Sequence, residues 1–288
     1  MVRTACLLLV LVLAGCSSRP HVIVGSKNFT EQVVLAEIIA QQIEKKAGIE
    51  VERKIDLGGT LLANEALKSG AIDLYPEYSG TALTAILKRP ISKDPNAVMS
   101  EVRQGYAQWH LSWLKPLGFN DSFAMVIRSA DAQQQHLITL SDAARRPQPW
   151  KLGVGYEFVE RPDGLDGLKK AYDLRINGDP VTMDLGLLYP ALRNGTIEMG
   201  AGSATDAYLT DSTFTVLSDD KHYFPPYECG IVIRDETMAQ FPQIKLVLEE
   251  LSGSISDSTM RQLNAAVDRN HRSPASVAAE FLSRGGKR

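Results

Sequence analysis

Aromatic residues stand beside prolines, acids and hydroxyls at several places where this chain should turn. Tyr75 and Tyr78 lie in Asp73-Leu-Tyr-Pro-Glu-Tyr-Ser-Gly-Thr81, Phe123 follows Asn120-Asp-Ser, and Tyr227 follows Phe224-Pro-Pro. Proline fixes φ and favours turns, so these rings are expected where a strand gives way to a loop. Such a set can recognise a cation, because a ring face attracts positive charge with about 0.5–2 kcal/mol per desolvated contact. One loop tyrosine more often packs with its hydroxyl in water; recurrence of the pattern is what points to a cage. Trp109 and Trp113, four residues apart, read instead as packing on one helix face. Cys229, two residues beyond Tyr227, reads as a small buried apolar residue near the same pocket.

Other chemistries find little support. The histidines at 21, 110, 136, 222 and 271 are scattered, and no His-Glu-x-x-His occurs. Gly200-Ala-Gly-Ser203 misplaces the serine for a Gly-x-Ser-x-Gly elbow, and Gly153-x-Gly155 lacks a third glycine. Gly285-Gly-Lys287 lacks the spacing of a phosphate-binding loop. Cys6, Cys16 and Cys229 make neither a disulfide framework nor a zinc motif. No cofactor and no metal is expected, and an enzyme on this chain would need an unrecognised site. Lys plus Arg number 31 against 34 Asp plus Glu, a formal charge of −3 that argues against nucleic-acid binding.

The elements that must position these residues alternate between strand and helix. His21–Gly25 is a short apolar run typical of a buried strand. Asn28 and Glu31 have capping-box spacing, and Val34, Leu35, Ile38, Ile39 and Ile43 then mark one helix face that stops at Gly48. A strand over 49–55, a helix over 61–70 and a strand over 71–75 complete a β-α-β-α-β opening, the pattern of a parallel α/β lobe. The pattern returns with a strand at 151–155 and helices at 164–172 and 185–193. Ala66-Leu-Lys-Ser-Gly-Ala-Ile-Asp73 and Ala191-Leu-Arg-Asn-Gly-Thr-Ile-Glu198 share one plan: helix end, base, glycine, isoleucine, acid. Residues 119–127 and 215–233 read as passages between lobes, and 235–288 as mostly helical. With 288 residues, 44% of them hydrophobic, there is material for two cores.

Residues 1–15, MVRTACLLLVLVLAG, carry Arg3 before an apolar run too short to span a bilayer, as in a cleaved signal peptide. Leu13-Ala14-Gly15-Cys16 looks like a bacterial lipobox, which makes Cys16 the expected lipidation site and residues 16–21 a tether. No later stretch has transmembrane length.

Several of these segments, taken in order, resemble the substrate-binding lipoproteins of osmoprotectant ABC importers, the glycine betaine/choline/carnitine class. They are Val24-Gly-Ser-Lys-Asn-Phe-Thr-Glu-Gln32, Asp73–Thr81, Gly118-Phe-Asn-Asp-Ser-Phe123, Thr205-Asp206 and Phe224-Pro-Pro-Tyr227. The resemblance covers essentially the whole mature chain. It implies an α/β, two-lobed periplasmic-binding-protein fold of type II, with lobe 1 formed by 22–124 and 226–288 and lobe 2 by 125–225. It further implies that Lys27, Thr81 and Arg161 hold a carboxylate. Tyr78, Phe123 and Tyr227 would form an aromatic box, and Asp121 would shape the ammonium site. The chain departs from the family at Ser203, where an aromatic is common, and at Phe123, usually tyrosine. Tyr208 or Tyr156 would have to compensate, or Ser203 would make room for a larger betaine.

The function implied is capture of a quaternary-ammonium solute in an interdomain cleft, without catalysis. Closure would precede docking on a membrane permease driven by a separate ATPase, neither of which is on this chain. The protein would be monomeric, extracytoplasmic and held to the membrane by its lipid. Two rivals are a solute-sensing lipoprotein that signals without transport, and a periplasmic enzyme on the same fold.

Overall fold

The computed structural model describes residues 21–285, which form two mixed five-stranded sheets with helices. The first sheet has the order β2-β1-β3-β10-β4, from β1 His21–Gly25, β2 Glu50–Lys54, β3 Leu74–Tyr78, β4 Leu111–Trp113 and β10 Cys229–Arg234. The second has the order β7-β6-β8-β5-β9, from β5 Phe123–Arg128, β6 Leu152–Val154, β7 Val181–Thr182, β8 Met199–Ser203 and β9 Phe214–Leu217. In each sheet the strands joined by helical crossovers run parallel, β1 with β2 and β3, and β6 with β7 and β8. The strands that arrive from the other sheet, β10 and β5, pair antiparallel with their neighbours. The expected α/β class and two-sheet plan are borne out.

Helix α1, Thr30–Ala47, follows the expected spacing: Val34, Leu35, Ile38, Ile39 and Ile43 are all buried. They pack on Val22 and Val24 of β1 in one hydrophobic cluster, each burial contributing about 1.5–3 kcal/mol. Gly48 ends the helix at φ 66°, its N–H bonded to the Glu44 carbonyl.

The two matched sequence segments fold alike. In α2, Thr60–Lys68, the Ile72 N–H bonds to the Ala66 carbonyl at 3.1 Å. After the helix Leu188–Arg193 the Ile197 N–H bonds to the Ala191 carbonyl at 3.2 Å. Gly70 and Gly195 supply φ 76° and 77° in these closures. Each acid then accepts from a backbone N–H of a neighbouring strand or the residue just before it, Asp73 from Ile23 and Glu198 from Lys151. Each helix end is also capped by the arginine that ends an antiparallel strand, Arg234 on Leu67 and Arg128 on Leu192. Both halves therefore solve the helix-to-strand junction with the same bonds.

Three local expectations are corrected. Asn28 and Glu31 form no capping box: the helix cap is Phe29, without a side-chain cap bond, and the Glu31 carboxyl is buried among other partners. The third strand begins at Leu74, because residues 70 and 72 are used in closing the preceding helix. Trp109 and Trp113 do not share a helix face. The helix Pro95–Ala107 has already ended, His110 turns the chain at φ 57°, and Trp113 lies in β4. The two rings still meet through Tyr106, edge-on at 5.3 and 5.5 Å.

Between the sheets, Gly118 has φ 114°, and a Cβ there would lie 2.8 Å from the Gly253 Cα and 2.9 Å from the Ile255 carbonyl oxygen. Gly118→Ala is expected to destabilise the protein by about 2 kcal/mol or more, read by urea unfolding, since both backbone strain and overlap oppose it.

Candidate functional site

Both sheets present one kind of edge to the site. Lys27 follows the carboxyl end of β1, Tyr78 ends β3, and Thr81 lies just beyond it. In the second sheet Arg161 follows the short helix α3, Tyr156–Glu160, which succeeds β6, and Ser203 ends β8. The antiparallel strands bring their amino ends to the same edges. Phe123 opens β5 opposite Ser203, and Tyr227 precedes β10, whose Cys229 stands opposite Tyr78. Ligands of open α/β sheets bind beyond the carboxyl ends of parallel strands, where the connections diverge.

One end of the cluster is basic but closely compensated. The Arg161 guanidinium grips Asp163 with two bonds, Nε at 2.9 Å and Nη2 at 2.6 Å, and its Nη1 donates to Thr81 Oγ1 at 3.0 Å. It lies 5.0 Å from the Phe123 ring centre and 5.7 Å from that of Tyr227. Tyr227 donates its hydroxyl proton to Asp163 at 2.5 Å. Burial works to raise the Asp163 pKa, but Arg161 and Tyr227 outweigh it and hold the carboxyl below its usual range. Lys27 is 3% exposed; its Nζ donates to Glu77 Oε1 at 2.5 Å and Thr60 Oγ1 at 3.0 Å, and lies 5.0 Å from the Tyr78 ring centre. Glu77 also accepts from the Tyr75 hydroxyl and the Tyr78 N–H. Across the sheets, Glu157 of α3 accepts from the Thr60 N–H at 2.6 Å and its hydroxyl at 3.2 Å, closing the amino end of α2.

The other end is acidic and hydroxylic. Glu31 accepts from the Tyr78 hydroxyl at 2.7 Å, from Asn264 Nδ2 at 3.0 Å and lies 2.5 Å from Thr205 Oγ1. Thr205 Oγ1 is also 2.7 Å from Asp121 Oδ1, and Ser203 donates its hydroxyl to the same oxygen. Burial pushes the Glu31 carboxyl up to about 7, against hydrogen bonds from Thr205, Tyr78 and Asn264 that pull it down. Burial and the nearby Glu31 raise Asp121 well above its ordinary value. Asp206, which accepts from Tyr189 and from the Ser203 N–H, is pushed up to about 6 by burial.

All eight residues singled out from the sequence thus fall in one contiguous cluster. Lys27, Thr81 and Arg161 lie at the basic end and Asp121 and Ser203 at the acidic end, with Tyr78, Phe123 and Tyr227 between them: their rings face Lys27 and Arg161, the Tyr78 hydroxyl reaches Glu31, Phe123 stands opposite Ser203, and the Tyr227 carbonyl accepts from the Asp121 N–H. The two suggested replacements for the missing aromatic are elsewhere. Tyr208 stacks on Tyr189 at 4.7 Å, and Tyr156 is 60% exposed. The extra rings are Phe29, stacked with Tyr78 at 6.4 Å, and Phe158, edge-on to Phe123 at 4.8 Å. Sequence reasoning gives no site role to Glu31, Glu77, Asp163, Thr205 or Asn264. Asp163 had a signal, two residues after Arg161. Glu31 was misread as a cap, and Asn264 lies in the helix Asp257–Asp268, too distant in sequence to be connected with the rest.

Among the described residues no group of His, Cys, Asp and Glu could hold a metal ion, and no helix is long and apolar enough to cross a membrane. Residues 20–284 match the family described as the substrate-binding domain of ABC-type glycine betaine transport systems. A glycine-betaine-binding protein of Pseudomonas aeruginosa is 34% identical over 293 residues, spanning 98% of this chain and 94% of that one. The ergothioneine transport permease/ergothioneine binding protein EgtU of Helicobacter pylori is 36% identical over 266 residues, which cover 92% of this chain and 47% of that longer protein. A crystal structure described as a glycine betaine/carnitine/choline ABC transporter superposes with a TM-score of 0.77 at 31% identity, over 91% of this chain and 98% of that one. With a match this long, in a fold that carries the aromatic and charged cluster between its sheets, the chain belongs to the substrate-binding domains of ABC-type glycine betaine transport systems.

Proposed function

We propose that this protein captures a small betaine, a quaternary ammonium carrying a carboxylate, and delivers it to a membrane permease worked by a separate ATPase. The observation that carries the reading is the pairing of opposite ends in one buried cluster. Arg161, Thr81 and Lys27 offer charge-assisted donors for a carboxylate, while Tyr78, Phe123 and Tyr227 offer ring faces for the cation beside Asp121. Phe123 and Arg161 come with the second sheet and Tyr78, Thr81 and Lys27 with the first, so a ligand touching both sets favours the closed arrangement. Residues 22–122 with 226–288 would form one lobe and 123–225 the other, the expected boundary at 124 moving to the start of β5, which pairs wholly within the second sheet.

No catalytic role is assigned to any residue, and the protein would act as a monomer. Cys16, the leader 1–15 and residues 16–20 of the expected tether lie outside the described residues, whereas its last residue, His21, opens β1. The sequence pattern there supports an extracytoplasmic lipoprotein, to be tested by mass spectrometry of the mature amino terminus.

Isothermal titration of the body, residues 17–288, with glycine betaine, choline, carnitine and proline betaine tests the central reading. Saturable binding of at least one is expected; release of a chemically altered solute would favour an enzyme instead. Tyr78→Ala should weaken binding by about 1–3 kcal/mol if its ring walls the cation, and unchanged affinity removes it from the site. Ser203 favours a second reading: it replaces a ring with a small side chain, and a relative 36% identical is named for ergothioneine, so a betaine with a polar ring is the alternative ligand. Adding ergothioneine to the panel separates the two, since preference for it over glycine betaine is expected only on the second.

A further inference from the structure

We propose that Glu31 and Asp121 share one proton through Thr205, and that the cationic end of the ligand binds in exchange for that proton. The inference rests on the betaine-capture reading above. Its ground is a count of protons. Thr205 Oγ1 lies 2.5 Å from Glu31 Oε2 and 2.7 Å from Asp121 Oδ1, both hydrogen-bond distances. A hydroxyl has one proton to give, so it satisfies one carboxylate only. The second contact needs a proton on the other carboxyl. Ser203 does not supply it there, because its own single proton is used toward Asp121 or toward Thr205 Oγ1, 3.0 Å away. Two ionised carboxylates on one neutral hydroxyl would repel at close range, as in other carboxylate pairs that hold one proton between them.

The surroundings favour the same state. From β3 the Tyr78 hydroxyl donates to Glu31, and from the helix Asp257–Asp268 Asn264 does so too; both are neutral. From the loop after β8 comes Asp206, a third acid, and from β10 the buried thiol of Cys229. Lys27, the cation near this group, is committed to Glu77, and Arg161 to Asp163. Burial and like charge both disfavour a second negative charge here. A permanent cation against Tyr78 and Asp121 reverses that balance. The O–H bond of the shared carboxyl breaks, its electron pair stays on the carboxylate, and the proton leaves to buffer. At the acidic end one cationic group replaces one proton, while the ligand's carboxylate is met separately by Arg161, Thr81 and Lys27. The Glu31–Thr205 bond also joins the sheets, since Glu31 belongs to α1 against the first and Thr205 follows β8 of the second.

The test is titration calorimetry of the wild-type body with glycine betaine, run at about pH 6 in phosphate and in Bis-Tris, whose ionisation heats differ. The difference in apparent enthalpy gives the protons released, expected to be about one per ligand. Because protons leave on binding, affinity should rise with pH, by up to about tenfold per unit between roughly pH 5.5 and 7, and then level off. Asp121→Asn should lose the proton release. As a readout independent of that variant, the infrared band of a protonated carboxyl in the wild type should disappear on adding glycine betaine. Binding without proton release and without loss of that band overturns this inference alone. No binding of glycine betaine, choline or ergothioneine at any pH overturns the transport reading, and this inference with it.

Discussion

Arg161→Ala should weaken binding of glycine betaine by about 2–5 kcal/mol, roughly thirtyfold to several thousandfold, and binding of choline far less. The difference follows from what the guanidinium does. It is oriented by two bonds to Asp163 and has a third donor on Thr81, so it is pre-aimed and loses little freedom on meeting a carboxylate. Choline has no carboxylate to lose, and it is freed from a nearby positive charge. Asp163 is left buried without its partner in either case, so folded stability will fall as well. Thermal unfolding of the variant without ligand separates that loss from the loss of affinity. Arg161→Lys should rescue only part, because an ammonium cannot reproduce the fork on Asp163. Equal losses for glycine betaine and choline would remove Arg161 from the role of carboxylate clamp.

Glu77→Ala should destabilise the folded protein by about 3–5 kcal/mol, measured by urea unfolding. Glu77 is fully buried and holds Lys27, itself 3% exposed, at 2.5 Å. Removing the carboxylate strands an ammonium in the interior, and it also takes an acceptor from the Tyr75 hydroxyl and the Tyr78 N–H. Replacing both members, Glu77→Leu with Lys27→Met, should recover much of that stability, because an apolar pair avoids the desolvation cost. It should not recover binding. A stability loss below about 1 kcal/mol for Glu77→Ala would mean that water reaches Lys27 more freely than this packing allows.

The residues proposed as aromatic box and carboxylate donors were legible because they stand in short, ordered motifs. Tyr75, read with the same motif, is the instructive exception. It alternates with Tyr78 along β3 with Pro76 and Glu77 between them, yet its ring enters the core beside Tyr106 while Tyr78 meets Lys27. The sequence pattern does not separate the two, because its apolar run 71–75 ends the strand at Tyr75, whereas the strand runs Leu74–Tyr78 and puts residues three apart on opposite faces. The helix-to-strand junctions at 66–73 and 191–198 were also legible, for a physical reason: glycine at positive φ and the bonds around it are local, within a few residues of each other.

The sequence by itself determined the α/β alternation, the passage of the chain between two lobes and the family, since each depends on neighbours in the chain or on an extended motif, and the same motifs named eight residues that the fold gathers into one cluster. Only the tertiary structure decided how those residues are charged and held. Glu77 neutralises Lys27 from 50 residues away, Asn264 reaches Glu31 across 233, and Thr205 joins Glu31 to Asp121 between the two sheets. Such pairings arise from burial and distance in space, which have no periodicity along a chain. They convert a pair of apparently simple acids, one of them mistaken for a helix cap, into the part of the site whose protons answer to the ligand.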